Sequence, residues 1–193
     1  MPERFPPLRS GVRETDTPPP VTMTVHREPL AALLIAGGAN PSDLSARCFD
    51  VLGCQLPDRP GVEGTTVEAL WTGADRWMLV SPDRVSQTSL FDGRLAAEGS
   101  VLLDQSDGWL VCTIQGPAAV ATLRKGLQID IDPAAFKTGS AALTSLDHIW
   151  TCVWRPREEP DAYRLVVRRS FANAFKHWFE VSAAEFGFAI SAG

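Results

Sequence analysis

The chain has 193 residues, and 18 Lys and Arg against 23 Asp and Glu give a formal net charge of −5. Hydrophobic content of 45% with 21% charged residues excludes wholesale disorder, and the length suits one domain or two half-size lobes sharing a core. The acidic balance without any Lys/Arg run argues against a nucleic-acid binder, and the longest apolar-and-glycine run, Leu30 to Ala39, is too short for a spanning helix of roughly 20 residues.

Residues 1–20 carry six prolines and little apolar periodicity. Proline locks φ and removes a backbone donor, so this segment is expected to be an extended arm, either a loose tail or a strap that orders against a partner. No charged-then-apolar leader precedes the regular text, which points to the cytoplasm. Val21 to Val25 reads as a strand, and Leu30 to Ile35 as a second strand or a helical turn. Asn40-Pro41-Ser42-Asp43 then opens a helix, with Asn40 as N-cap, Pro41 at the first position and Gly53 as the left-handed stop. A loop rich in Pro and Gly is expected over 56–64.

Strands at 66–71 and 77–80 flank the turn Thr72-Gly73-Ala74-Asp75-Arg76. Ser81-Pro82-Asp83 is expected to cap a helix ending near Gly99. A short strand at 101–103, the turn Asp104-Gln105-Ser106-Asp107-Gly108 and a strand at 109–114 follow, then a helix opened by Gly116-Pro117 and closed by Lys125-Gly126. Strands at 141–146 and 149–154 precede a last strand at 163–167. Ser170 is expected to cap a final helix whose Phe171, Phe175, Trp178, Phe179, Ser182 and Phe186 form one broad face. The two halves echo each other: Leu79-Val80 and the helix after it parallel Leu165-Val166 and the helix after it, an offset of about 86 residues. Each half reads as a split βαβ unit, so the expected fold class is α+β, two ferredoxin-like lobes with largely antiparallel sheets. The expected boundaries are an arm at 1–20, a first lobe at 21–104 and a second at 105–193, the two packed as one unit.

The residue chemistry is sparse. Cys48, Cys54, Cys112 and Cys152 lack the paired spacing of a zinc site and read as buried reduced thiols. His26, His148 and His177 sit on separate elements with no carboxylate or cysteine at ligand spacing, and no Gly-x-Ser-x-Gly elbow is present. Gly37-Gly38 before a helix start could cradle phosphate but lacks the companion residues of a P-loop, and Asp130 with Asp132 reads as a solvated turn. No catalytic residue and no metal ligand is assigned. Six tryptophans exceed what a small core needs, and indole is enriched in binding hot spots. Trp71 and Trp77 flank one turn, where one can enter the core while the other projects outward; Trp71, Asp75 and Trp77 are the candidate partner-interface residues, with at least one of the tryptophans expected to contact a larger partner.

Several stretches together resemble the gamma subunit of heterotetrameric sarcosine oxidase. They are Ala69-Leu70-Trp71-Thr72-Gly73-Ala74-Asp75-Arg76-Trp77-Met78-Leu79-Val80, Asp104-Gln105-Ser106-Asp107-Gly108, Gln115-Gly116-Pro117-Ala118-Ala119, the run from Gly126 to Phe136, and Arg168-Arg169-Ser170-Phe171-Ala172. The resemblance implies a fold similar to the folate-binding domain of the glycine-cleavage T-protein. It implies alpha, beta and delta partner subunits, with contacts mainly to the large ones. It also implies that FAD, FMN, NAD, zinc and tetrahydrofolate sit on those partners and none on this chain, while the assembly demethylates sarcosine to glycine with formation of hydrogen peroxide and passes the one-carbon unit to tetrahydrofolate. Two alternatives stay open: a stand-alone folate-binding or aminomethyltransferase-like protein, for which Asp104 and Asp107 are the candidate folate ligands, and a subunit of an oxidase for another N-methyl amine.

Overall fold

The computed structural model describes residues 19–81, 95 and 98–193. The expected arm, apart from Pro19 and Pro20, and most of the expected helix after Ser81 lie outside the described residues.

β1 (Val21–Val25) alternates buried Val21, Met23 and Val25 with half-buried threonines, the period of a strand with one apolar face. β2 (Leu30–Ile35) is a strand and not a helical turn; it has apolar residues on both faces because a core lies on each side of it. α1 (Pro41–Leu52) begins as expected: the Asn40 side-chain oxygen accepts from the Ser42 N–H at 2.9 Å. It stops at Gly53, whose φ of 71° suits a residue without Cβ and lets its N–H reach the Phe49 carbonyl. β3 (Val62–Gly64) runs through the stretch expected to be only loop, and is followed by β4 (Glu68–Gly73), β5 (Arg76–Ser81) and β6 (Val101–Asp104).

β7 (Trp109–Gln115), α2 (Ala119–Leu123), β8 (Ala141–Leu146), β9 (Ile149–Trp154), β10 (Ala162–Arg168), α3 (Ala172–Ala183) and β11 (Phe188–Ala192) complete the chain. β8 and β9 form a two-residue hairpin in which Asp147 and His148 take φ of 45° and 68°, the left-handed pair that matches strand twist. Two expectations near the C-terminus need correction. Ser170 does not cap α3: it sits in a short 3₁₀ turn (Arg169–Phe171), Phe171 takes the cap position without a side-chain bond, and its ring is 47% exposed instead of joining the buried face. The strand at 163–167 is also not the last, because β11 follows; it pairs parallel with β1, from Val21 opposite Phe188 to Val25 opposite Ala192.

Two sheets result, a six-stranded one ordered β11-β1-β7-β10-β9-β8 and a five-stranded one ordered β3-β4-β5-β2-β6, antiparallel apart from the β1–β11 pair. They stack face to face. Ala31, Leu70, Met78 and Val80 from one meet Val111, Cys152, Trp154 and Val166 from the other. The outer face of the six-stranded sheet packs under α2 and α3 through Leu123, Phe175, Trp178 and Phe179. The outer face of the five-stranded sheet packs under α1 through Leu44 and Cys48. The molecule is thus an α+β protein of four layers, helix, sheet, sheet and helix.

One charged contact crosses the apolar layer between the sheets. Arg164 on β10 donates through Nη1 to Glu68 Oε2 on β4 at 2.5 Å and through Nη2 to Glu159. Glu68 is 1% and Arg164 8% exposed. Burial holds the Glu68 carboxyl above its ordinary range, against the pull of the guanidinium. All four cysteines are buried free thiols, and burial pushes each up to about 12. No helix among the described residues is long and apolar enough to cross a membrane.

Candidate partner interface

The residues singled out around the β4–β5 turn come together in a groove. Trp71 and Trp77 are directly opposed across the β4–β5 ladder, so both side chains point to the α1 side of the sheet. Asp75 sits in the turn with φ of 55°, and its carbonyl accepts a hydrogen bond from the Ala36 N–H. All three line an open groove of about 950 Å³ between α1, the 55–61 loop and this turn.

The two tryptophans divide as their position at a strand end allows. Trp77 is 3% exposed and donates its indole N–H to the Pro57 carbonyl at 2.8 Å, fastening the loop to the sheet. The loop is held from the helix side too, where Ser45 Oγ accepts from the Leu56 N–H. Trp71 is only half-buried, and Phe49 on the α1 wall of the same groove is 55% exposed. Both aromatic side chains line the groove, whose loop wall these hydrogen bonds hold in place. Its rim is charged: Asp50, Asp58 and Asp75 are exposed, and Arg157 reaches across from the other half of the chain to Glu63 at 2.8 Å. Sequence reasoning missed Phe49, Pro57 and Arg157. Phe49 carries a local signal, an apolar residue off the buried stripe of α1, whereas Arg157 arrives through tertiary packing from 94 positions away.

Asp104 and Asp107 lie elsewhere, in the β6–β7 turn, and neither lines the groove. Asp104 Oδ1 accepts from the Ser106 N–H at 2.9 Å and from its Oγ–H at 2.6 Å, while Ser106 Oγ accepts from the Ala31 N–H. The carboxylate therefore orders a turn that pins β2. Asp107 is exposed, and its carbonyl accepts from Arg169. Gly37 and Gly38 form the β2–α1 turn, where a Cβ on Gly37 would sit 2.1 Å from the Gly99 carbonyl oxygen; close backbone approach explains the glycine there. Asp132 pairs with Arg124 at 2.7 Å in a solvated turn. His26 Nε2 bonds Thr113 Oγ1, and burial followed by nearby Arg164 lowers its pKa. Among the described residues no three His, Cys, Asp or Glu side chains gather to hold a metal ion.

Residues 36–185 match the family described as sarcosine oxidase, gamma subunit family. The chain belongs to that family. Among gamma subunits of sarcosine oxidase, it is 34% identical over 125 residues to that of Corynebacterium sp. strain U-96, 65% of this chain and 59% of the relative. It is 31% identical to that of Corynebacterium sp. strain P-1, over 73% of this chain and 70% of the relative. An Arthrobacter gamma subunit is 30% identical, over 79% of this chain and 73% of that one. In structure, this member of the gamma subunit family is similar to a chain of the heterotetrameric sarcosine oxidase from Corynebacterium sp. U-96 in complex with pyrrole 2-carboxylate. The TM-score is 0.75 at 28% identity, covering 86% of this chain and 85% of that one. Aminomethyltransferase T of the glycine cleavage system from Bartonella henselae shares the fold, with a TM-score of 0.59 at 12% identity over 89% of this chain and 47% of that chain.

Proposed function

We propose that this chain is the non-catalytic gamma subunit of a heterotetrameric sarcosine oxidase. The observation that carries the reading is the likeness to a chain of the Corynebacterium sp. U-96 enzyme along most of both chains. The assembled enzyme would convert sarcosine, oxygen and water to glycine, formaldehyde and hydrogen peroxide, or pass the one-carbon unit to tetrahydrofolate. Removing a hydride from a secondary amine needs an electron acceptor that no protein side chain supplies. Flavins (FAD and FMN), NAD, zinc and tetrahydrofolate would accordingly reside on the alpha, beta and delta partners, and this chain would contribute folded surface. The fold, read in full, is two ferredoxin-like lobes at 21–104 and 105–193 with β1 exchanged into the second sheet; the order β4-β5-β2-β6 of the first sheet supports it.

Within this reading the groove is the contact to a large subunit. Trp71 is the anchor, Asp75 the charged rim, and Trp77 the support that holds the 55–61 loop in place. What favours a subunit over a folate-binding protein is the use already made of Asp104, whose carboxylate is taken up by Ser106. The test is co-expression of the affinity-tagged chain with the three partner subunits. The complex is expected to co-purify with flavin colour and sarcosine-dependent peroxide formation, while the lone chain is colourless and inactive. Trp71→Ala is expected to weaken retention about 30-fold, the effect of losing a 2 kcal/mol hot spot. Peroxide formation by the lone chain, or stoichiometric tetrahydrofolate binding to it, would overturn the proposal.

A further inference from the structure

A second surface lies at the far end of the inter-sheet face. Along β9, Cys152 and Trp154 point into the layer between the sheets, so Trp150 points the same way. It is nevertheless 44% exposed. Its ring packs on Trp109 of β7, with centroids 5.5 Å apart and planes tilted by 47°. Arg168, directly opposite Trp109 on β10, holds its guanidinium 4.0 Å from the centre of that ring. Leu143 on edge strand β8 shares this face and is 37% exposed. The five-stranded sheet overhangs in the same manner: Val101 and Leu103 on its edge strand β6 belong to the inner face, opposite Ile35 and Leu33, yet are 45% and 44% exposed.

The composition is that of an interface centre. Trp and Arg are the residue types most enriched in hot spots, and a guanidinium stacked on an indole is already ordered before a partner arrives. Arg168 is exposed and makes no ion pair with any described carboxylate, although the chain as a whole is acidic. The unspent charge sets the chemistry of the occupant.

We propose that the Trp109–Trp150–Arg168 cluster is a second docking surface, separate from the groove, and that it receives an apolar segment of a partner subunit carrying a carboxylate that pairs with Arg168. Apolar side chains of that segment cover Trp150 and Leu143, and exclusion of water around them strengthens the carboxylate–guanidinium pair. The inference rests on the proposed assembly for its partner but names a contact which that reading does not contain.

The experiment uses the whole chain and the complex of the other three subunits. Trp150→Ala and Arg168→Gln both change exposed side chains, so each variant is first checked for an unaltered melting temperature. Trp150→Ala is expected to raise the dissociation constant about 30-fold. Arg168→Gln is expected to raise it about tenfold and to flatten its dependence on salt. Oxidative footprinting of the wild-type chain reads the surface without any substitution, and Trp150 is expected to be protected on assembly. If wild type assembles and both variants assemble as tightly, with Trp150 equally oxidised in both states, this inference fails and the subunit reading stands. A wild-type chain that stays alone refutes both. Burial of Trp150 in a homodimer of this chain, lost in Trp150→Ala, overturns the inference in favour of a self-interface.

Discussion

Replacing Arg164 with Met tests how the two sheets are held in register. Methionine keeps most of the side-chain length and removes the guanidinium, which leaves the Glu68 carboxyl inside the inter-sheet layer at 1% exposure without its cation. Removing one partner of a buried pair costs about 3–5 kcal/mol, because the remaining charge is neither paired nor hydrated. For a chain of this size that lowers the melting temperature by roughly 6–20 °C. Glu159 loses the same partner, but it is half-exposed and regains water, so little is added for it. The loss carries a pH signature. Without Arg164 the native Glu68 pKa rises further above its ordinary 4.5, and the native state prefers the protonated form. A raised carboxyl pKa favours the native state below the unfolded value, and that advantage disappears as pH climbs through the folded value. The deficit of Arg164→Met against wild type should therefore shrink as pH falls from 7 towards 5, by up to ~1.4 kcal/mol per unit. Urea unfolding followed by tryptophan emission at pH 7.0, 6.0 and 5.0 measures both quantities. The double variant Glu68→Leu/Arg164→Met should recover most of the loss, because a well-packed apolar pair replaces a desolvated ionic one. A deficit under ~1 kcal/mol that does not vary with pH would refute the argument.

Two further outcomes are expected. Ser106→Ala leaves the buried Ala31 N–H without its acceptor and releases the Asp104 carboxylate, a loss of about 1–3 kcal/mol in urea unfolding; an unchanged midpoint would show that water replaces the hydroxyl. His26 has a native pKa below its ordinary 6.5, lowered by burial and then by Arg164, so the unfolded chain takes a proton first as pH falls. Its contribution is complete above about 6.5 and is lost as pH drops through the native value. His26→Asn should flatten the pH dependence of stability between 7 and 5.5, and equal slopes in the two proteins would remove His26 from the account.

What could be read from the sequence follows how far each determinant reaches along the chain. The ends of α1 were legible because Asn40, Pro41 and Gly53 act within one turn, and the β8–β9 hairpin because its boundaries are punctuated locally. β3 and β11 were not. Each is short, and each becomes a strand through pairing, β3 with β4 and β11 with a β1 more than 160 residues away. Of Trp71 and Trp77, Trp77 enters the core, where its indole meets the Pro57 carbonyl on a separate loop, a contact with no local signal in the sequence. Leu79-Val80 and Leu165-Val166, the strand pairs that echo each other in the sequence, both lie on interior strands, β5 and β10, of their respective sheets. Stacking of the sheets through Glu68 and Arg164, 96 residues apart, left no local trace.

The insertion of β1 between β7 and β11 also has a consequence for how the protein is made. At a ribosomal pace of about 5–20 residues per second, the 167 residues separating Val21 from Phe188 take roughly 8–33 s to emerge. Throughout that interval β1 has left the exit tunnel while its parallel neighbour does not yet exist, and for the first half of it β7 is missing as well. The nascent five-stranded sheet cannot shelter β1, whose pairing partners all belong to the other sheet. Val21, Met23 and Val25 thus wait without any strand partner until β7 emerges, and with one open edge until synthesis is nearly complete, which makes this strand a segment for a chaperone to shield and one through which neighbouring chains on one polysome would entangle.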